Sequence, residues 1–228
     1  MAEKKTWKKL WEDRAGKFKD FDPVKLNGFY GSFADLTPRM VDQIVDLIKL
    51  RLKLSKSDNL LEVGCGAGML LIPVSKYVKQ VSGVDYSEPL VKALKKHFDV
   101  KVLVSEARKL PFNDNEFNKI LCHSVFQYFP SLNYAKKSVS EMIRVCNRGG
   151  RILIMDIPDL AKKKACDDYR MSLNPEKALK DNLRHLFYPK SFFKEICGKN
   201  NLKHEIWDCN ISGYNNSKFR FNILIECG

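Results

Sequence analysis

A strand followed by a glycine-rich turn, at residues 59–71, constrains the fold of this chain more than any other stretch. Residues 60–63 are mostly apolar, which is typical of a parallel strand buried on both faces. Glycines follow at alternate positions, and without Cβ atoms they allow a tight turn and a close approach to a ligand: Gly64, Gly66 and Gly68. Apolar residues then recur at helical spacing, so a helix should leave the turn with its free amides facing the loop.

A second predicted strand, residues 80–85, ends in Asp85. An acid about 20 residues past the glycine loop accepts hydrogen bonds from ribose hydroxyls in dinucleotide-binding folds. The glycine spacing here is G-x-G-x-G with Glu62 ahead of it, which differs from the dinucleotide pattern G-x-G-x-x-G. Together these features favour a nucleoside-type site over an ordinary strand-to-helix turn.

Strands and helices alternate along the chain, which is typical of a doubly wound α/β sheet. The predicted strands are 59–64, 80–85, 101–105, 118–124, 151–156, 203–208 and 219–226. The predicted helices that accompany them are 36–54, 68–78, 88–97, 133–146 and 190–199. A short polar loop joins the last two strands, so the last strand should run antiparallel. The sequence therefore predicts a mostly parallel, seven-stranded sheet in one domain, residues 1–228.

Two segments are predicted to cover this sheet. Residues 1–20 have the pattern of a basic amphipathic helix with Trp7 and Trp11 near one face, suited to a lid or, alternatively, to a membrane surface. With the loop that follows, the lid segment is 1–35. The polar segment 161–188 interrupts the alternation after the fifth strand and is predicted to be an insertion over the carboxyl edge of the sheet.

Composition limits the classes of protein. No apolar run reaches the roughly 18 residues of a membrane span, and the charged N-terminus lacks an apolar signal core, which favours a cytoplasmic protein. The seven cysteines form no C-x-x-C pair, so reduced core thiols are favoured over a disulfide framework or a metal site. The net charge of +13 suits nucleic acid, anionic membrane or a phosphorylated substrate, or simply reflects a lysine-rich composition.

The glycine triplet, Glu62 and Asp85 resemble motif I of the class I, Rossmann-like S-adenosylmethionine (SAM) methyltransferases. The resemblance covers about residues 59–156, as a SAM-binding core, and implies SAM as cofactor with S-adenosylhomocysteine as product. It also implies a parallel sheet finished by one antiparallel strand. The cofactor-binding residues that it implies are Glu62, Gly64, Cys65, Gly66, Gly68, Asp85, Tyr86, Glu106, Ala107 and His123.

Two of the implied positions have alternative interpretations. Glu106 stands where the family usually has the aspartate that recognises adenine, and the alternative is a solvated loop acid. His123 follows the fourth strand as a cofactor wall residue or a general base, and the alternative is a structural histidine. A hydroxyl acceptor needs such a base. The candidates for catalysis are His123, His185 and Tyr128.

The acceptor site is predicted where aromatic and basic residues follow the strand ends. Its candidates are Tyr30, Gln127, Tyr128, Arg184, His185, Tyr188, Tyr214 and Arg220. The closest resemblance is to the ubiquinone/menaquinone-methyltransferase-like group, which implies transfer of a methyl group to an O or N nucleophile of a small molecule, such as an anionic or sugar-type metabolite. The alternatives are an RNA or protein methyltransferase and a SAM-binding subunit without catalysis.

Overall fold

A computed structural model describes residues 6–16, 20–30, 35–173 and 184–228 of the chain. Within these ranges seven strands form one sheet: β1 (Asn59–Val63), β2 (Gln80–Asp85), β3 (Lys101–Val104), β4 (Phe117–His123), β5 (Cys146–Pro158), β6 (Lys203–Asp208) and β7 (Arg220–Glu226). Their order across the sheet is β3-β2-β1-β4-β5-β7-β6. Strand β7 is antiparallel to both neighbours and the other pairs are parallel, which confirms the predicted sheet.

Eight α-helices are present in the described residues: α1 (Trp7–Arg14), α2 (Pro23–Leu26), α3 (Pro38–Leu52), α4 (Leu71–Ser75), α5 (Glu88–His97), α6 (Leu132–Val145), α7 (Lys163–Leu173) and α8 (Lys190–Lys199). Helix α4 is shorter than the predicted helix 68–78. The left-handed φ of +87° at Gly68 keeps the turn from joining the helix, which begins at Leu71. Strand β5 begins at Cys146, not at residue 151.

The core lies on both faces of the sheet. Leu60 and Leu61 are both fully buried but belong to separate apolar clusters, because successive strand residues point to opposite faces. One cluster includes Ile48 of α3, and the other includes Val139 of α6 and Phe193 of α8. This double cover explains why the strands are nearly continuous apolar runs.

The two covering segments are only partly described. Of the predicted lid 1–35, residues 1–5, 17–19 and 31–34 lie outside the described residues, and α1 packs on α5. Of the predicted insertion 161–188, the structure describes α7 and the stretch from residue 184, whereas 174–183 lie outside. Across the described ranges no helix combines the length and hydropathy that a bilayer crossing requires. The seven cysteines are free thiols, and all but Cys209 are buried.

Candidate functional site

A cavity of about 400 Å³ opens at the carboxyl ends of β1, β2 and β4. The strand order reverses between β1 and β4, and such a switch point is where open α/β sheets bind ligands. Of the predicted cofactor residues, eight line this cavity: Glu62, Gly64, Gly66, Asp85, Tyr86, Glu106, Ala107 and His123. Cys65 and Gly68 are buried beside it, in the same loop.

The glycine loop is held in a left-handed conformation that favours glycine. Gly64, Gly66 and Gly68 have φ values of +79°, +52° and +87°. The amide of Gly66 donates a hydrogen bond to Asp85 Oδ2 at 2.8 Å, so the loop is tied to the end of β2. A Cβ atom built on Gly66 would lie 2.8 Å from the side chain of Asn27.

Asn27 was not found from the sequence, although it contacts the loop directly. Its Oδ1 accepts a hydrogen bond from the Ala67 amide at 2.8 Å, and its Nδ2 donates to the Cys65 carbonyl at 3.2 Å. The residue follows α2 and lines the cavity. The Asn-Gly pair at 27–28 signals a turn, but nothing in the sequence connects that turn with a loop 38 residues away.

Two buried carboxyl groups lie at the floor of the cavity. Burial raises the pKa of Asp85 to about 6, although amide donors from Ser87 and Gly66 act in the opposite direction. Burial, and secondarily the charge of Asp85, raises the pKa of Glu62 well above its usual range. Glu62 is 2% exposed, and its Oε2 has no hydrogen-bond partner among the described residues. A buried acceptor without a donor is costly, so Glu62 is suited to a ligand that brings one.

The residues that come directly after β3 form another part of the cavity wall. Ala107 is buried, whereas Glu106 is exposed and forms an ion pair with Arg108 at 2.6 Å. Burial, with Glu106 nearby, raises the pKa of Tyr134 to about 12. Tyr86, on the adjacent strand end, has a buried hydroxyl whose pKa burial also raises. Both tyrosines therefore remain neutral hydrogen-bond donors at neutral pH.

His123 ends β4 and is buried at the cavity wall, 5.9 Å from Phe29 between ring centroids. Burial lowers its pKa, and the charge of Asp156 opposes this only in part, so the imidazole is neutral near pH 7. The next residue, Ser124, has a left-handed φ of +57°. Such strain at a strand end is a common mark of a functional site.

Aromatic rings cover one side of the cavity, which Trp7, Trp11 and Tyr128 line. The Trp7 ring lies 4.9 Å from Tyr128 and 5.2 Å from His185, and Trp11 lies 5.1 Å from Tyr128, all between centroids. Tyr128 and His185 contact each other at 5.5 Å. Helix α1, the loop after β4 and the end of the insertion therefore meet at one place. We name this cluster of Trp7, Trp11, Tyr128 and His185 the aromatic roof.

The other predicted acceptor residues are spread more widely. Gln127 is buried beside the roof, and its Nε2 donates to Ser124 Oγ at 2.6 Å. The Tyr188 hydroxyl donates to the Phe126 carbonyl at 2.8 Å, inside the core. Arg184 and Tyr30 are exposed and do not line the cavity.

Tyr214 and Arg220 belong to a buried polar cluster with Asp156, near the end of β5 and the beginning of β7. The Tyr214 hydroxyl donates to Asp156 Oδ2 at 3.2 Å and accepts from Asn216 at 2.9 Å. Arg220 Nε lies 3.6 Å from Asp156 Oδ1. Asp156 was missed from the sequence, although its place at the carboxyl end of a predicted strand was an available signal.

Part of this chain is similar to known proteins. Residues 61–154 match a family described as a methyltransferase domain. The chain is 34% identical over 94 residues to an uncharacterized protein of Methanocaldococcus jannaschii, covering 41% of this chain and 42% of that protein. It is 30% identical over 102 residues to the uncharacterized methyltransferase YcgJ of Bacillus subtilis, covering 42% of this chain and 39% of the relative. The chain thus spans about two fifths of the length of these relatives.

Two solved structures are similar over most of their length. The YcgJ structure has a TM-score of 0.62 at 18% identity and covers 84% of this chain and 100% of that one. The N-methyltransferase NodS from Bradyrhizobium japonicum, in complex with S-adenosylhomocysteine, has a TM-score of 0.65 at 14% identity and covers 96% and 97%.

The fold is that of the class I, Rossmann-like SAM-dependent methyltransferases, as the sequence predicted. Within it, residues 61–154 of this chain match the methyltransferase-domain family.

Proposed function

We propose that this chain is a SAM-dependent methyltransferase that acts on an O or N nucleophile of a small molecule. The observation that carries the proposal is the cavity floor, where the left-handed glycine loop, Asp85 and Glu62 lie together. The matched methyltransferase domain covers the same residues. The small acceptor is supported by the aromatic roof, because a cavity partly covered by side chains suits a small molecule better than a polymer.

The groups that line the cavity fit SAM chemically. The cavity is lined by three acidic residues, Glu62, Asp85 and Glu106, but by only one lysine, Lys8, in the described part of the chain. Asp85 would accept from the ribose hydroxyls. Glu62 Oε2, which has no partner among the described residues, would accept from the ammonium group. When bound, SAM supplies an electrophilic methyl group on a sulfonium with a neutral thioether as leaving group.

The aromatic roof would exclude water and orient the acceptor. Holding reactants in line can contribute about 7–11 kcal/mol in well-oriented cases. The faces of Trp7, Trp11 and Tyr128 are also suited to a positive charge, worth roughly 0.5–2 kcal/mol for each favourable contact.

Among the candidate bases, His123 is the best placed. It lines the cavity, and its lowered pKa keeps it neutral and able to accept a proton from a hydroxyl acceptor. His185 Nδ1 lies 2.9 Å from Arg170 Nη2, which engages one ring nitrogen. Burial raises the pKa of Tyr128, so its hydroxyl would serve as a donor and not as a base.

The proposal is tested by calorimetry with S-adenosylhomocysteine, followed by transfer of labelled methyl groups from SAM to a panel of small acceptors. Micromolar affinity, about −8 kcal/mol, is expected. No heat of binding at millimolar ligand would reject the function. Salt-sensitive retention on immobilised RNA would instead favour the nucleic-acid alternative suggested by the +13 charge. Binding without turnover on any acceptor would favour the non-catalytic subunit.

We expect the affinity for S-adenosylhomocysteine to depend on pH through Asp85. The carboxylate is the form that accepts from two hydroxyls, and the pKa of about 6 leaves it mostly protonated at about pH 5. Raising the pH from about 5 to about 7.5 should therefore strengthen binding by about tenfold. Calorimetry at both pH values measures this. In the Asp85→Asn variant the dependence should largely vanish; an equal dependence there would assign the titration to another group, such as Glu62.

We expect ligand binding to hold helix α1 on the cavity. Thr6, Trp7 and Trp11 line it, and α1 otherwise packs mainly on α5. Hydrogen exchange of the α1 amides should slow by about tenfold when S-adenosylhomocysteine is added, since a bound ligand adds contacts to the closed position. Helix α3, which does not line the cavity, is the internal control. Unchanged exchange in α1 with saturating ligand would contradict a lid.

A further inference from the structure

Residues 26–29 contact both helix α1 and the glycine loop. Leu26 ends α2 and is buried in one apolar cluster with Trp11 of α1 and Ala67 of the glycine loop. This cluster is distinct from the two that cover the faces of the sheet. The packing of α1 and the packing of the loop therefore meet at this short segment, which we name the joint.

Asn27 of the joint uses both ends of its side-chain amide on the glycine loop. Its Oδ1 accepts from the Ala67 amide at 2.8 Å, and its Nδ2 donates to the Cys65 carbonyl at 3.2 Å. Because one partner can only donate and the other can only accept, they also fix which end of the amide is the oxygen. The two bonded peptide groups flank Gly66, whose own amide is held by Asp85. The shape of the loop at Gly66 therefore depends on where Asn27 lies.

Gly28 of the joint provides the space in which α1 docks. Its φ is +88°, and a Cβ built on it would lie 2.8 Å from Trp11 Cη2 and would overlap Arg14 Nη1. The long Arg14 side chain can move aside, but the Trp11 ring is 8% exposed and packs against Tyr128 at 5.1 Å between centroids. Glycine is the residue that allows so close an approach. A side chain at residue 28 would therefore displace α1 from its position.

The two contacts are on neighbouring residues whose backbone is held by the end of α2. The amide of Asn27 donates to the Pro23 carbonyl at 3.0 Å, and the amide of Gly28 donates to the Lys25 carbonyl at 2.9 Å. A shift of the backbone at Gly28 is therefore expected to move Asn27 as well. Contiguous packing and hydrogen bonds of this kind can carry energetic coupling between two sites.

We propose that Asn27 and Gly28 are positioning residues that couple the docking of helix α1 to the conformation of the glycine loop. With α1 docked, Asn27 holds the loop at Gly66 in the shape that binds the cofactor. A cofactor that holds the loop in turn holds α1 on the cavity, since coupling between two sites is reciprocal. This inference rests on the proposed methyltransferase function, and it adds the residues through which the lid and the cofactor loop act on each other.

The test measures the effect of each residue on the element that the other residue contacts. Asn27→Ala removes the bonds to the loop, and hydrogen exchange of the α1 amides in the ligand-free chain should become about tenfold faster. Gly28→Ala disturbs α1, and exchange of the Ala67 amide should become faster by about the same factor. Both variants should also bind S-adenosylhomocysteine about tenfold more weakly by calorimetry. A purely local structural role would not produce these cross effects.

The matched control is Gly213→Ala. Gly213 also has a left-handed φ, of +83°, and a Cβ built on it would overlap the side chain of Met40. The variant thus has the strain and the overlap of Gly28→Ala, but neither Gly213 nor Met40 lines the cavity. It should leave exchange in α1 and at Ala67 unchanged, and affinity for S-adenosylhomocysteine within about twofold. Melting temperatures show whether each variant is folded, and if Gly28→Ala does not fold, the effect of Asn27→Ala on α1 decides.

The outcomes separate this inference from the function on which it rests. Unchanged exchange of α1 in Asn27→Ala, or of Ala67 in a folded Gly28→Ala, would overturn the coupling and leave the methyltransferase in place. Equal cross effects in Gly213→Ala would also overturn it, because general destabilisation would then be the cause. Failure of the unaltered chain to bind S-adenosylhomocysteine would reject the function, whereas exchange measured without ligand would still support or overturn the coupling.

Discussion

Replacing Gly66 by valine is expected to abolish binding of S-adenosylhomocysteine, a loss of at least roughly 100-fold or about 2.8 kcal/mol. The residue has a φ of +52°, where a β-branched side chain is strained. Its new Cβ would also lie 2.8 Å from Asn27 Nδ2, the side chain that holds the loop. Calorimetry measures the loss of affinity, and circular dichroism checks that the chain remains folded.

The matched control is Gly149→Val. Gly149 also has a left-handed φ, of +76°, but a Cβ built there meets no atom within 4 Å, and the residue lies in β5 far from the cavity. This variant therefore has the backbone strain without the contact at the loop. If both variants lost affinity equally, general strain and not the loop would be the cause.

Replacing Asp85 by alanine has the second largest expected effect. It removes a carboxylate that would accept from two ribose hydroxyls and that also accepts from the Gly66 and Ser87 amides. Hydrogen bonds to charged groups contribute about 1.5–3 kcal/mol, so affinity for S-adenosylhomocysteine should fall by about 10- to 150-fold near pH 7.5.

The control for this variant is another buried aspartate that accepts from a backbone amide. Asp159 is 3% exposed and accepts from the Ala161 amide at 3.0 Å, but it does not line the cavity. Asp159→Ala should lower the melting temperature while the affinity for S-adenosylhomocysteine stays within about twofold, under 0.5 kcal/mol. Unchanged affinity in Asp85→Ala would remove Asp85 from the cofactor site.

Most of the fold could be predicted because its signals are local. The apolar run of β1 and the polar loop before β7 specify a buried parallel strand and an antiparallel last strand without any long-range information. The errors are at the ends of helices and strands, where the conformation of a single residue determines the boundary. Gly68 was counted in a helix that begins at Leu71, because its left-handed φ is not visible in apolar spacing.

Residues of the candidate site could be predicted only where they belong to a recognisable sequence motif. Gly66 and Asp85 follow from strand-end positions and spacing. Asn27 precedes the first strand, and its place depends on how the N-terminal segment folds back over the sheet. The position of Asp156 at a strand end could be read from the sequence. Its partner Arg220 is 64 residues further along the chain, so the ion pair could be found only from the pairing of β5 with β7.

The reversed direction of β7 has a consequence for engineering. Since β7 runs against β5, its first residue, Arg220, lies at the edge where β4 and β5 end, and the hairpin from β6 reaches that edge late in the chain. The glycine loop and Asp85 come from the first half of the chain. Residues 209–219 therefore form a connection with both ends anchored in paired strands, and its buried residues include Tyr214 and Phe219. We expect substitutions at its exposed positions, such as Ser212 and Lys218, to leave the glycine loop and Asp85 in place.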